Sequence, residues 1–314
     1  MRLLIRIASW LCLLLLLAAV LSYLWVRSGL EPLDEQARAD LGGNYLATSS
    51  GVLSYTLQGS PDAPLVVLVH GFSTPKFVWE QITPVLLSSG YRVLTYDHLG
   101  RGFSDRPDVA YDSALYQSEI AGLIEGLGLD TPMTLVGYSM GGANVVDFAA
   151  SHPALVDKLI LIAPAGYMAG AGSASLLNVP VLGEWLATVF GKQYVLTSIR
   201  QEVEAGLAPA DMLEKFEQQA SFDGYTRALL STLRHFPMAD QAHRYKIIGQ
   251  AGIPVTAIWG TEDKVVPFTG AALMSEDVPL VNVVPIERGT HNITYARAEE
   301  VAAQIVLALA DKRE

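Results

Sequence analysis

The chain contains one cysteine in 314 residues, Cys12, and it lies inside a leucine run. A single thiol excludes an intrachain disulfide and any metal centre built from cysteines, so the fold must stand on its hydrophobic core. Charge is sparse, at 17% of residues, and its balance is acidic: 21 Lys and Arg against 32 Asp and Glu give a formal net charge of −11. Such a surface repels phosphate backbones, so no nucleic acid partner is expected. The acidity is read instead as a solubility feature. There is no P-loop and no dinucleotide-binding glycine pattern, and Gly100-Arg101-Gly102 is too short for either. No cluster with metal-ligand spacing stands out, so no cofactor and no metal are expected. There is no internal repeat and no low-complexity tract beyond the leucine run.

What is abundant is apolar: 51% of residues are hydrophobic. That is ample for a large core, and the length suits one α/β domain with an insertion. From Ile7 to Val26 no residue is charged, and Trp10, Tyr23 and Trp25 lie near the two ends, where interfacial aromatics sit. Twenty helical residues rise about 30 Å, enough to cross a hydrocarbon core. Residues 1–27 are therefore read as a transmembrane anchor. A cleaved signal peptide, leading to secretion, is the competing reading, but its apolar stretch is usually about 7–15 residues with a small-residue site after it. Here Ala18-Ala19 falls inside the run. Arg2, Arg6 and the α-amine outweigh Arg27, which puts the N-terminus in the cytoplasm and the rest of the chain on the outer side.

Residues 28–50 are polar and mixed and read as a tether. Val52–Leu57 alternates as an edge hairpin strand would. Pro64–Val69 is a continuous apolar run, as in a strand covered on both faces. Further strands are expected at Tyr91–Tyr96, Met133–Val136, Lys158–Ile162, Val255–Trp259 and Val281–Val284. Helical stretches separate them, at Trp79–Leu87, Tyr116–Gly126, Met140–Ala150 and about Ala296–Ala310. Alternating strands and helices imply a mostly parallel sheet with right-handed crossovers. Between Ala165 and Gly249 the alternation stops, and helical patterns fill the interval at Leu182–Phe190, Met212–Gln219 and Tyr225–Leu233. The expected organisation is a core of residues 51–165 and 250–314, with 166–249 inserted above the sheet as a helical lid.

Gly137-Tyr138-Ser139-Met140-Gly141 is G-x-S-x-G standing between a strand and a helix. A serine whose hydroxyl projects from so tight a turn needs neighbours without side chains two residues away on either side. A small-residue turn that merely packs a helix on a sheet is the alternative. A serine hydroxyl also needs a base within hydrogen-bond reach. Of the six histidines, His70 and His98 follow strands early in the chain, His152 ends a helix, and His235 and His243 lie in or beside the insertion. His291 alone follows the last strand.

With these pieces the chain resembles α/β-hydrolase-fold serine hydrolases of the lid-bearing esterase and lipase type. The resemblance covers about Val52 to Ala310. It rests on His70-Gly71-Phe72, Asp97-His98-Leu99-Gly100-Arg101-Gly102-Phe103-Ser104, Gly137 to Gly142, Trp259-Gly260-Thr261-Glu262-Asp263 and Gly289-Thr290-His291. Their order is that of nucleophile, acid and histidine in the family. Thr290 stands where the family more often has glycine. The resemblance implies Ser139 as nucleophile, His291 as base and Asp263 as the acid that orients it, with Glu262 beside it as rival. It implies an oxyanion hole made by the backbone N–H groups of Phe72 and Met140. Asp97 and Asp105 are read as structural pins of the Gly100–Gly102 loop.

The implied activity is hydrolysis of small or medium acyl esters, including monoacylglycerol-like lipids, by acyl transfer to Ser139. The apolar residues of the insertion, Leu176 to Phe190, form its core, or else line an acyl pocket or touch a bilayer. The same triad serves C–C bond hydrolysis, peroxyacid formation and acyl transfer. Epoxide hydrolases and haloalkane dehalogenases need a carboxylate where Ser139 stands. A membrane-tethered binding protein without catalysis is the reading from another class. The partners expected are a small acyl-ester substrate and the membrane, and no obligate protein partner is evident.

Overall fold

The computed structural model describes residues 1–168 and 176–311; residues 169–175 of the inserted segment lie outside the described residues. The apolar runs become strands of one sheet. In chain order these are β1 (Asn44–Thr48), β2 (Gly51–Gln58), β3 (Leu65–Val69), β4 (Arg92–Tyr96), β5 (Met133–Tyr138), β6 (Val156–Ile162), β7 (Val255–Gly260) and β8 (Asn282–Ile286). Among the described residues these eight strands lie in the order β1-β2-β4-β3-β5-β6-β7-β8. β1 and β4 both pair antiparallel with β2, and every other neighbouring pair is parallel. β5 and β7 are buried along their whole length, as strands covered by helices on both faces must be.

The helices are α1 (Arg2–Ser28), α2 (Glu35–Leu41), α3 (Thr83–Ser88), α4 (Ser113–Leu127), α5 (Met140–Ser151), α6 (Leu182–Leu186), α7 (Lys192–Glu204), α8 (Met212–Gln219), α9 (Tyr225–His235), α10 (Ala242–Gln250), α11 (Gly270–Asp277), α12 (Ile293–Ala296) and α13 (Ala298–Ala310). Local chemistry sets their ends. Asp112 caps α4 by accepting from the Leu115 N–H, and Gly128 closes it at φ 57°. Within α4, Gly122 and Gly126 let the helix settle on the sheet edge. A Cβ at Gly126 would lie 2.8 Å from the Leu46 side chain, and one at Gly122 would lie 3.0 Å from Thr48.

Two boundaries differ from the sequence reading. The 28–50 tether is not a free linker: it holds α2 and β1, and β1 pairs with β2 from Asn44↔Tyr55 to Thr48↔Gly51. β1 is therefore the sheet edge, and β2 is an inner strand. β1 is short and half-exposed, so it carries no continuous apolar run to announce it. The lid also ends earlier than residue 249. α10 packs on α5 through the Arg244–Asp147 ion pair, and its Tyr245 and Ile248 join the main core. It is a sheet-flanking crossover helix, and its mixed polarity hid that role. The helices from α6 to α9 form a cap with small cores of their own, one around Leu196, Ile199, Met212 and Phe216.

Candidate active site

β5 delivers the chain into Ser139 at φ 55° and ψ −119°, and α5 starts at the next residue. A non-glycine residue at positive φ is uncommon and is held here by its surroundings. The Ser139 N–H donates to the Ile162 carbonyl at 2.9 Å, and its own carbonyl accepts from the N–H groups of Gly142 and Ala165. The flanking glycines are needed for space. A Cβ on Gly137 would meet the Gly141 carbonyl oxygen at 2.4 Å, and one on Gly141 would meet the Val69 oxygen at 2.2 Å.

Asp263 lies just beyond β7 and His291 just beyond β8, so neighbouring parallel strands bring both to the Ser139 end of the sheet. His291 Nε2 is 2.9 Å from Ser139 Oγ, and Nδ1 is 2.8 Å from Asp263 Oδ2. The other carboxylate oxygen of Asp263 accepts from the N–H groups of Val265 and Val266, each at 2.8 Å. The geometry suits a His291 that donates from Nδ1 to the Asp263 carboxylate and offers Nε2 to the serine. Glu262 points its side chain to solvent. The Tyr138 hydroxyl donates to the His291 carbonyl at 3.1 Å and steadies the histidine loop.

Phe72 sits beyond β3, the strand next to β5, and Met140 follows Ser139. Neither backbone N–H donates to an acceptor among the described residues, as expected for the first N–H of a helix at Met140. A Cβ on Gly71 would come within 3.3 Å of Ser139 Cβ, so the loop passes close to the serine.

A buried polar network fixes that loop. His70 Nε2 accepts from the His98 backbone N–H at 2.9 Å, and its Nδ1 bonds the Gly71 carbonyl at 2.8 Å. His98 Nδ1 is hydrogen-bonded to Glu119, whose other oxygen accepts from the Leu99 N–H at 2.8 Å. Burial is the main cause that holds His70 well below the ordinary histidine range, brings His98 down to about 3, and pushes Glu119 well above the carboxylate range. Burial thus disfavours the charged form of all three, and the hydrogen bond between His98 and Glu119 joins two of them. Asp97 differs. Burial disfavours its charge, but Lys76 outweighs that and lowers it. Its carboxylate holds the Lys76 ammonium at 2.7 Å and the Phe103 N–H at 3.2 Å. Asp105 accepts from the Val52 N–H and pairs with Arg38.

The sequence reading did not find the groups that join this loop to the cap. Arg101 is fully buried, bonds the Phe72 carbonyl, and reaches Thr232 of α9 at 2.8 Å. Gln219 of α8 accepts from the Gly102 N–H at 2.9 Å and donates to the Ser73 carbonyl at 3.3 Å. Only the arginine inside a G-x-G stretch hinted at such a role. Beside Phe72 the cap forms an open apolar cleft of about 340 Å³, lined by residues including Leu177, Leu186, Phe190, Leu229 and Leu230.

Comparison with known proteins agrees with this architecture. Monoacylglycerol lipase abhd6-B of Xenopus laevis is 27% identical over 270 residues, covering 79% of this chain and 76% of that protein. Lipase 1 of Psychrobacter immobilis is 27% identical over 275 residues, covering 85% and 84%. The solved enol-lactonase of Burkholderia xenovorans LB400 superposes with a TM-score of 0.71 at 21% identity, over 85% of this chain and all of that one. The model of the alpha/beta hydrolase family matches residues 66–304. With an α/β-hydrolase fold and that match over most of its length, the chain belongs to the alpha/beta hydrolase family.

Proposed function

We propose that the chain is a serine hydrolase that cleaves carboxylic esters of apolar acyl groups, monoacylglycerol-like lipids among them, through an acyl-enzyme. The carrying observation is the unbroken relay from Asp263 through His291 to Ser139. Ser139 Oγ attacks the acyl carbon while His291 Nε2 takes its proton. The developing oxyanion accepts hydrogen bonds from the Phe72 and Met140 N–H groups. His291 then protonates the leaving alcohol. A water, deprotonated by the same nitrogen, attacks the acyl-enzyme and releases the carboxylic acid and free Ser139.

The apolar cleft beside Phe72 supports an acyl chain as the group recognised, since it offers few polar partners. The helices of the cap serve as its roof. α1 runs 27 residues with none buried and holds the enzyme at a membrane as an uncleaved span, with its N-terminus cytoplasmic. The lipase relatives agree with hydrolysis of lipid esters.

Labelling with a fluorophosphonate, compared between the wild type and Ser139→Ala, tests the nucleophile: labelling that survives the substitution removes the reading. A series of p-nitrophenyl esters by chain length, run beside a monoacylglycerol and an amide, tests the substrate class, and no acyl turnover on any of them rejects esterase action. Extraction of membranes with alkaline carbonate tests the span. A mature N-terminus sequenced beyond about residue 20 identifies a cleaved signal instead.

A further inference from the structure

The cap is fastened to α1 at several levels. The Trp185 indole N–H lies 3.0 Å from the Ala19 carbonyl and 3.1 Å from Ser22 Oγ. Arg27 pairs with Asp223 at 2.9 Å, and just past the helix Glu31 exchanges backbone hydrogen bonds with Ser221 and Asp223. The hydrolase domain therefore stands at a set height against α1.

That height follows from helix geometry. The 27 residues of α1 rise about 40 Å, against a hydrocarbon core of about 30 Å. With Arg2 or Arg6 at one headgroup layer, the far hydrocarbon edge falls between about Ser22 and Val26. Ala19 then lies about 5–10 Å inside that edge, and Trp185 meets it there. An apolar face seated in the interface reaches a similar depth.

The cap surface around Trp185 carries large apolar side chains uncovered by protein, with the exposed Glu184 and Gln193 among them. Leu176 is 63% exposed, Val181 80%, Phe190 52% and Tyr194 80%. Val181 also sits at φ 69°, a conformation that a β-branched side chain adopts only at a cost. Glycine at this turn would relieve both the strain and the exposure of an apolar side chain. The π-helical turn Ala187–Gly191 packs against α1 and also lends Ala187, Phe190 and Gly191 to the apolar cleft.

From these features we propose that the cap face centred on Val181 is a second membrane contact, embedded in the interface of the bilayer that α1 crosses. The proposal rests on α1 being a span. It places the apolar cleft beside the acyl region of the bilayer, so that lipid esters enter without crossing water.

The test uses the full chain in phosphatidylcholine vesicles with an environment-sensitive fluorophore on one cysteine at a time. The sites are native Cys12 for the span, Val181→Cys for the cap, and Asp62→Cys for an exposed turn ahead of β3, the last two in a Cys12→Ser background. The expected result is quenching by doxyl-labelled lipid of about twofold at 12 and 181 and none at 62. Quenching at 12 but not at 181 overturns the proposal and leaves the span standing. Quenching at neither overturns both. A blue-shifted but unquenched label at 181 shows cover by protein, a second copy included, and also overturns it. If Val181→Cys does not fold, Leu176→Cys takes its place. Independently, Val181→Asp is expected to lower turnover of a monoacylglycerol in vesicles about tenfold and leave a soluble short-chain ester unaffected. An equal effect on the two substrates counts against the proposal.

Discussion

The Arg101 guanidinium donates from Nε to the carbonyl oxygen of Phe72 at 2.9 Å. The peptide whose N–H is assigned to the oxyanion hole thus belongs to a residue whose other backbone end is anchored by a buried cation. The same side chain lies over the Phe72 ring and bonds Thr232 in the cap. One planar guanidinium therefore bridges the cap and the loop that carries Phe72.

Replacing Arg101 by Ala is expected to lower kcat for p-nitrophenyl esters about tenfold to a hundredfold with little change in KM. That is less than the 10²–10³ lost when an oxyanion donor is removed outright. Arg101→Lys keeps the charge but not the fork and should fall between. Steady-state kinetics on protein with an unchanged circular dichroism spectrum checks this, and a kcat within twofold of wild type in Arg101→Ala would remove the positioning role.

Asp263→Asn should reduce kcat by about 10⁴ while leaving fluorescence melting nearly unchanged. The amide oxygen can still accept from Val265 and Val266, but the amide no longer holds His291 in the tautomer that faces Ser139 with a bare nitrogen. Glu262→Gln changes an exposed side chain and should leave kcat within about twofold. A reversed pair of results would exchange the roles of the two acids.

Glu119→Gln tests the buried network beneath the oxyanion loop. The glutamine can accept from Leu99 N–H and donate to His98, as a protonated acid would. Glu119 is raised in the fold, so the stability it confers is complete below its unfolded value and is lost as pH rises above that value. The variant lacks that titration. Its melting temperature relative to wild type should therefore climb steadily as pH is raised from about 4.5. A difference that stays flat with pH would mean Glu119 is not held neutral.

Gly141→Ala is expected to cost several kcal/mol, about 3 or more, or to prevent folding. The added Cβ would lie 2.2 Å and 2.5 Å from the backbone oxygens of Val69 and His70, which cannot swing aside. Thermal melting with fluorophosphonate labelling reads both the stability and the elbow. A variant as stable and reactive as wild type would show that the turn has slack.

Much of this molecule is legible in its sequence. The continuous apolar run at β3 announced a covered strand because Val66 to Val69 are all buried regardless of face, as are the expected strand residues of β5. The G-x-S-x-G turn was readable because its glycines answer a local clash within five residues. β1 was missed because its stability comes from pairing with β2 and from α4 resting on it, not from its own pattern. α10 was misassigned to the lid because only its contacts with α5 show which layer it joins.

The sequence by itself determined the elements whose cause is local: the apolar helix α1, the inner strands, the serine turn, and the order of serine, aspartate and histidine along the chain. The tertiary structure alone decided which distant groups meet. It closed Asp263 on His291 and left Glu262 in solvent. It buried Glu119 against His98, tied Arg101 to Phe72 and Thr232, and set Trp185 against Ala19. The physical reason is that periodicity and turn chemistry act over a few residues, whereas a buried polar contact exists only where packing removes water and leaves each donor a single acceptor within reach.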